Sequence, residues 1–155
     1  MFPLKTLAST AVVSCSLFVM PIATAAQWES VVRNADEALY VDLDSLRMVD
    51  GQVEAQALHT YSKPRTLGQD WYAHKSRVMT YRFDCNGEKL TFTAFEMRSG
   101  ELGSGETVIA GTSGGHMFPA ANDPLDGKLM GKVCSPANLT RAERGGGDAG
   151  RLASR

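Results

Sequence analysis

The chain has 155 residues, with 16 Lys and Arg against 17 Asp and Glu and three Cys. That is enough for one domain with a modest core, and it lacks the basic balance of a dedicated nucleic-acid binder. The charge is uneven: residues 27–136 hold 11 basic and 15 acidic side chains, whereas 137–155 carry four Arg against one Glu and one Asp.

At the N-terminus, "MFPLKTLASTAVVSCSLFVMPIATAAQWES" places Lys5 before an apolar run over about 7–22 and then the small-residue exit "ATAA". A charged start, an apolar middle and an A-x-A site predict a signal peptide over 1–25 and a mature start near Ala26 or Gln27. The run falls short of the ~20 residues that span a bilayer, so no transmembrane helix is expected in the mature chain. A lipoprotein cut at Cys15, after "VVS", is the alternative. It is disfavoured because the apolar "SLFVMPIATAA" follows where a polar tether would be needed.

Export leaves Cys85 and Cys134, and two cysteines in an exported domain most simply form one disulfide. It would close about 50 residues, about 4 kcal/mol in the chain-entropy model. A metal pair is the rival reading, but neither a C-x-x-C spacing nor a nearby His run is present.

In chain order, "WESVVRN" (28–34) and "ALYVDL" (38–43) read as short strands. "DLDSLRMVDG" (42–51) reads as one helical turn ending in a reversal at Asp50-Gly51. "QVEAQALHTYS" (52–62) alternates, with Val53, Ala55, Ala57, His59 and Tyr61 on one face and Glu54, Gln56, Leu58 and Thr60 on the other. "KPRTLGQD" (63–70) is expected to be a loop, and "WYAHKSRVMTYRFD" (71–84) a long strand. Asn86-Gly87 predicts a type I′ hairpin leading into "KLTFTAFEMRS" (89–99). A turn at 101–106, a strand at 107–111 and a loop over 112–123 follow. "DPLDGKLMGKVCS" (123–135) is expected to form a short helix, weakened by Gly127 and Gly131. Residues 137–155, with three consecutive Gly and no apolar period, are expected to be a disordered tail. The fold class is mainly β (α+β): a single antiparallel sheet of five to six strands with a short C-terminal helix and one disulfide, within a domain over 26–136.

The loop "GTSGGH" (111–116) places Ser113 between small residues. A serine-protease reading would pair it with His59 and Asp70. That machinery needs two β-barrels, and Thr112 stands where the protease signature has an acidic residue. The segment also lacks the Lys of a phosphate loop, so it is read as a turn and no catalytic residue is assigned. His59 is expected to be a half-buried structural residue. His74 and His116 are the other candidates for a metal or haem, and no cofactor is assigned. Lys63, Arg65, Lys75, Arg77 and Arg82 are candidate partner-binding residues, able to dock an acidic protein or polyanionic ligand. Their alternative is a solvated strand face. Trp28, Trp71 and Tyr72 are read first as core anchors.

The order of several features is similar to that of a known family. The mature N-terminal Trp28, "YVDLDSL", a strand running into "YSKP", "SRVMTYRFDC" before a hairpin, and a terminal "KVC" together resemble the surface-adhesin protein E family of Gram-negative bacteria. The resemblance covers 27–135. It implies a small antiparallel sheet with a C-terminal helix tied to it by the Cys85–Cys134 bridge. It also implies an exported, non-enzymatic, adhesin-like domain that binds host matrix or serum proteins, in the periplasm or at the outer-membrane surface. The alternative is a periplasmic protein holding a small molecule or metal.

Overall fold

The computed structural model describes residues 26–67 and 72–152. The expected signal peptide over 1–25, with Cys15, and also Asp70 and Trp71 lie outside the described residues. The fold is an antiparallel meander of β1 (Trp28–Arg33), β2 (Glu37–Val49), β3 (Gln52–Leu67), β4 (Tyr72–Asp84), β5 (Lys89–Arg98) and β6 (Thr107–Thr112), in that spatial order. A two-residue β7 (Phe118–Pro119) pairs with the start of β5. A single 3-10 turn (Ala120–Asn122) and two α-helices, α1 (Pro124–Val133) and α2 (Pro136–Leu152), complete the described fold.

The period-2 reading of β3 sets the core. Val53, Ala55 and Ala57 stand opposite Phe83, Tyr81 and Met79 of β4, and Ala57 stands opposite Val41 of β2. All are buried in one cluster with Leu129, Met130 and Val133 of α1 and Ala142 of α2. Each fully buried Leu, Val or Phe contributes about 1.5–3 kcal/mol. The bridge between Cys85 and Cys134, with Cα atoms 5.6 Å apart, ties the end of β4 to the C-terminal end of α1.

The opposite face is covered by the β5–β6 turn. Ser76 Oγ donates to Gly100 O (2.7 Å) and accepts from Gly103 N (3.0 Å), while Leu102 N donates to Thr60 Oγ1 (3.1 Å). Leu58 and Ser76 are thereby buried on the side away from the helices.

Four local expectations are corrected. Residues 42–49 form strand, with a register shift between Asp42 and Arg47, and the chain reverses at Asp50-Gly51 as expected. Ser45 Oγ donates to Asp42 O (2.6 Å) and accepts from Gln56 N (2.8 Å), so side-chain bonds replace the missing ladder. The bulge buries both Leu43 and Leu46, a three-residue spacing that reads as helical in sequence. Residues 63–67 are not loop but the end of β3. Pro64 sits in the shift between Thr60 and Arg65, where no ladder donor is required.

The Asn86-Gly87 hairpin exists but is a four-residue loop. The residue with positive φ is Glu88 (51°), and Asp84 Oδ1 accepts from Gly87 N (2.9 Å). The type I′ geometry occurs instead at Asp50-Gly51, with φ of 52° and 78°. Finally, the expected disordered tail is helical through Leu152. Ser135 O accepts from the amides of Asn138 and Leu139, and Pro136 opens the helix, a start that pairs Ser with Pro. Packing of α2 on β2 supplies what its glycine-rich sequence lacks.

Candidate functional site

The helices cover only part of the inner face. Beyond Ala57 the same side of the sheet continues into His59 and Tyr61 on β3 and Arg77 on β4, and there α1 begins. Asp123 caps that helix, its Oδ1 accepting from Leu125 N at 2.7 Å, with Pro124 in the first turn. The result is a cleft of about 430 Å³ between sheet and helix start. Its floor is His59, Tyr61, Arg77, Met79 and Tyr81, with Glu37 and Arg65 at one rim. Phe92 and Phe118 line another side, and Asp123, Leu125 and Asp126 come from α1 and its cap.

Its charges are close enough to shape one another. Burial, helped by the Arg77 guanidinium and opposed by Asp123, lowers His59 to about 4, so the ring is neutral at neutral pH. Burial, with Asp123 adding to it and Arg77 opposing, raises Asp126 to about 6. Burial also raises both tyrosine hydroxyls, Tyr61 and Tyr81. Arg65 lies 4.7 Å and Arg77 5.6 Å from the Tyr61 ring centre, both as cation–π contacts. Arg65 also faces Glu37 at 3.6 Å. His59 Nε2 and Arg77 Nε are buried without a hydrogen-bond partner among the described residues.

The five candidate basic residues do not form one surface. Arg77 belongs to the cleft. Arg82 lies toward the other end of β4, opposite Glu54, which accepts from its Nε at 3.3 Å, with Asp50 3.7 Å away. Lys63, Arg65 and Lys75 remain near the β3–β4 connection, and Lys75 is paired with Glu101 at 3.1 Å. Past Tyr61 on β3, and before Ser76 on β4, the two strands pair only with each other. They form a short arm that ends in the Leu67–Tyr72 pair, whose side chains are 48% and 41% exposed.

The three histidines are not assembled into a metal site. His74 is buried with Nδ1 3.1 Å from Tyr72 O and its ring 5.9 Å from that of Tyr61, while His116 is exposed. Among the described residues no group of three His, Cys, Asp or Glu could hold a metal ion. Ser113 follows β6, its amide bonded to Thr93 O, three strand spacings or roughly 14 Å across the sheet from His59. Trp28 is half-buried at the β1 edge, and Tyr72 is exposed instead of serving as a core anchor. Sequence reasoning missed Glu37, Phe92, Phe118, Asp123 and Asp126; the Asp-Pro helix start was the available signal for Asp123.

Among the described residues no helix is long and apolar enough to cross a membrane. No curated protein matches the chain. Three solved structures of Haemophilus influenzae protein E resemble it. Its crystal form II is 15% identical, with a TM-score of 0.52, covering 74% of this chain and 91% of that one. The selenomethionine form is 14% identical, with a TM-score of 0.56, covering 77% and 95%. The protein from a non-typeable strain is 14% identical, with a TM-score of 0.56, covering 79% and 85%. At such identities the likeness establishes the meander and helix arrangement alone. A sequence model of the family described as "Surface-adhesin protein E" matches residues 28–135, from the first residue of β1 to the one after Cys134. The chain therefore belongs to the surface-adhesin protein E family.

Proposed function

We propose that this chain is an exported, non-enzymatic, adhesin-like binding domain of the Gram-negative envelope that meets another macromolecule through the β3–β4 arm. The observation that carries this reading is the arm itself: exposed Leu67 and Tyr72 beside exposed Lys63 and Arg65. Apolar side chains flanked by cations fit a protein surface with an acidic rim, where a few buried contacts carry the energy and charge steers approach. Family membership supports an envelope location and host matrix or serum proteins as partners. The separation of Ser113 from His59 supports a non-enzymatic role.

Protease shaving of intact cells, with a periplasmic protein as protected control, tests display. Cleavage only after the outer membrane is opened would move the domain to the periplasm and remove host proteins as partners. The surface itself is tested by Lys63→Glu with Leu67→Ser, against a panel of immobilised matrix proteins. Binding should fall by about tenfold or more while the unfolding midpoint stays in place. Unchanged binding would remove the arm from consideration.

A further inference from the structure

The cleft at the start of α1 has no role in the macromolecular reading, and its chemistry is unusually complementary within itself. His59 is only 5% exposed, yet its Nε2 has no partner, and neither does the buried Nε of Arg77. Both residues line the cleft, and a buried polar atom left unpaired costs about 1–3 kcal/mol, so a small turn of either side chain toward a bound ligand would supply the missing bond. Arg65 is already answered by Glu37 at 3.6 Å. Arg77 and Asp126 are in no ion pair among the described residues, and Asp123 spends one oxygen on its helix cap.

A simple anion would satisfy Arg77 but would also meet Asp123 and Asp126. A simple cation would satisfy the carboxylates but would also meet the Arg77 guanidinium. From this arrangement we infer that the cleft binds a small zwitterion with an apolar body, a free apolar amino acid or a short peptide. The carboxylate faces Arg77 and His59, and the ammonium faces Asp126 and Asp123. Phe92, Phe118 and Leu125 line the space for the apolar body. The volume, about 430 Å³, lies within the range of small-molecule sites. An ammonium beside Asp126 would hold ionised a carboxyl that burial raises to about 6.

This inference stands apart from the arm and is scored on different variants. The test is a titration followed by amide NMR shifts and by the unfolding midpoint, using L-phenylalanine and the dipeptide Leu-Phe as the two sources. Two controls each lack one charge: 3-phenylpropionate and 2-phenylethylamine. At least one zwitterion should shift cleft resonances and raise the midpoint at millimolar concentration. Each single-charge control should bind about tenfold or more weakly, the scale of one lost charged hydrogen bond. Arg77→Met and Asp126→Asn should each weaken the zwitterion to a similar degree. If Arg77→Met does not fold, Asp126→Asn at the helix start decides alone. The inference is overturned if neither zwitterion binds at about 10 mM, where a millimolar site would be mostly filled. It is equally overturned if a single-charge control binds as tightly as the zwitterions, or if Asp126→Asn leaves the affinity unchanged.

Discussion

Replacing His59 with Leu should flatten the acid limb of the stability curve. The imidazole is buried between Leu39 and Arg77 in the cross-strand register, and burial with Arg77 holds it at about 4 against an ordinary 6.5. A lowered histidine means that the unfolded chain takes up the proton first. The contribution to stability is therefore complete above pH 6.5 and is lost as the pH falls through about 4. Fully expressed, the difference is roughly 3 kcal/mol, of which about 2 kcal/mol falls between pH 7 and 4.5.

Asp126 runs the other way. Its carboxyl is raised to about 6 from 3.8, so its contribution is complete below 3.8 and is lost as the pH rises through 6. That group is partly exposed, which reduces its weight, and it offsets part of the histidine loss in the wild type. Urea unfolding of wild type and His59→Leu at pH 7, 6, 5.2 and 4.5 cancels terms common to both proteins. The expected result is a stability difference between the Leu variant and wild type that moves by about 2 kcal/mol in favour of the variant from pH 7 to pH 4.5. Parallel curves over that range would show that His59 is not held neutral by burial, and the cleft electrostatics derived above would be wrong.

Two further predictions concern the scaffold. Replacing Cys85 and Cys134 together with Ser should cost about 4 kcal/mol for a sequence separation of 49. With ordinary denaturant slopes this lowers the urea midpoint by roughly 2 M, and reducing the wild type should reproduce it; a loss under about 1 kcal/mol would contradict the chain-entropy account. Gly145→Ala should destabilise by about 1–3 kcal/mol despite better helix propensity, because the added Cβ would stand 2.6 Å from Leu46 O. Gly131→Ala in α1 meets nothing within 4 Å and should stabilise by up to about 1 kcal/mol. If both alanine variants stabilise, α2 does not dock on the β2 bulge.

Alternation alone determined much of this protein. From 52 to 61 the strict period of 2 assigned each side chain of β3 to its face, including His59 to the same side as Val53 and Tyr61, because successive strand residues must point oppositely. Cysteine counting and the Asp-Pro start of α1 were equally local, since each needs only one or two residue types at a fixed place. Bulges were not legible: Leu43 and Leu46 share a face through an irregularity in pairing, and their spacing mimics a helix. Nor was α2, whose glycines argue against helix until β2 is present for Ala142 and Gly145 to approach.

The cleft belongs wholly to the tertiary structure. Glu37, His59, Arg77, Phe92, Phe118 and Asp126 span 90 residues of chain and meet only because the meander lays β2 to β5 side by side beneath the start of α1. The same register carried Arg82 away to Glu54 and left Lys63 and Arg65 near the arm. Local sequence chose which face each residue would occupy. The order and pairing of the strands chose its neighbours, because charges and cavities depend on distances across the sheet that no local pattern encodes.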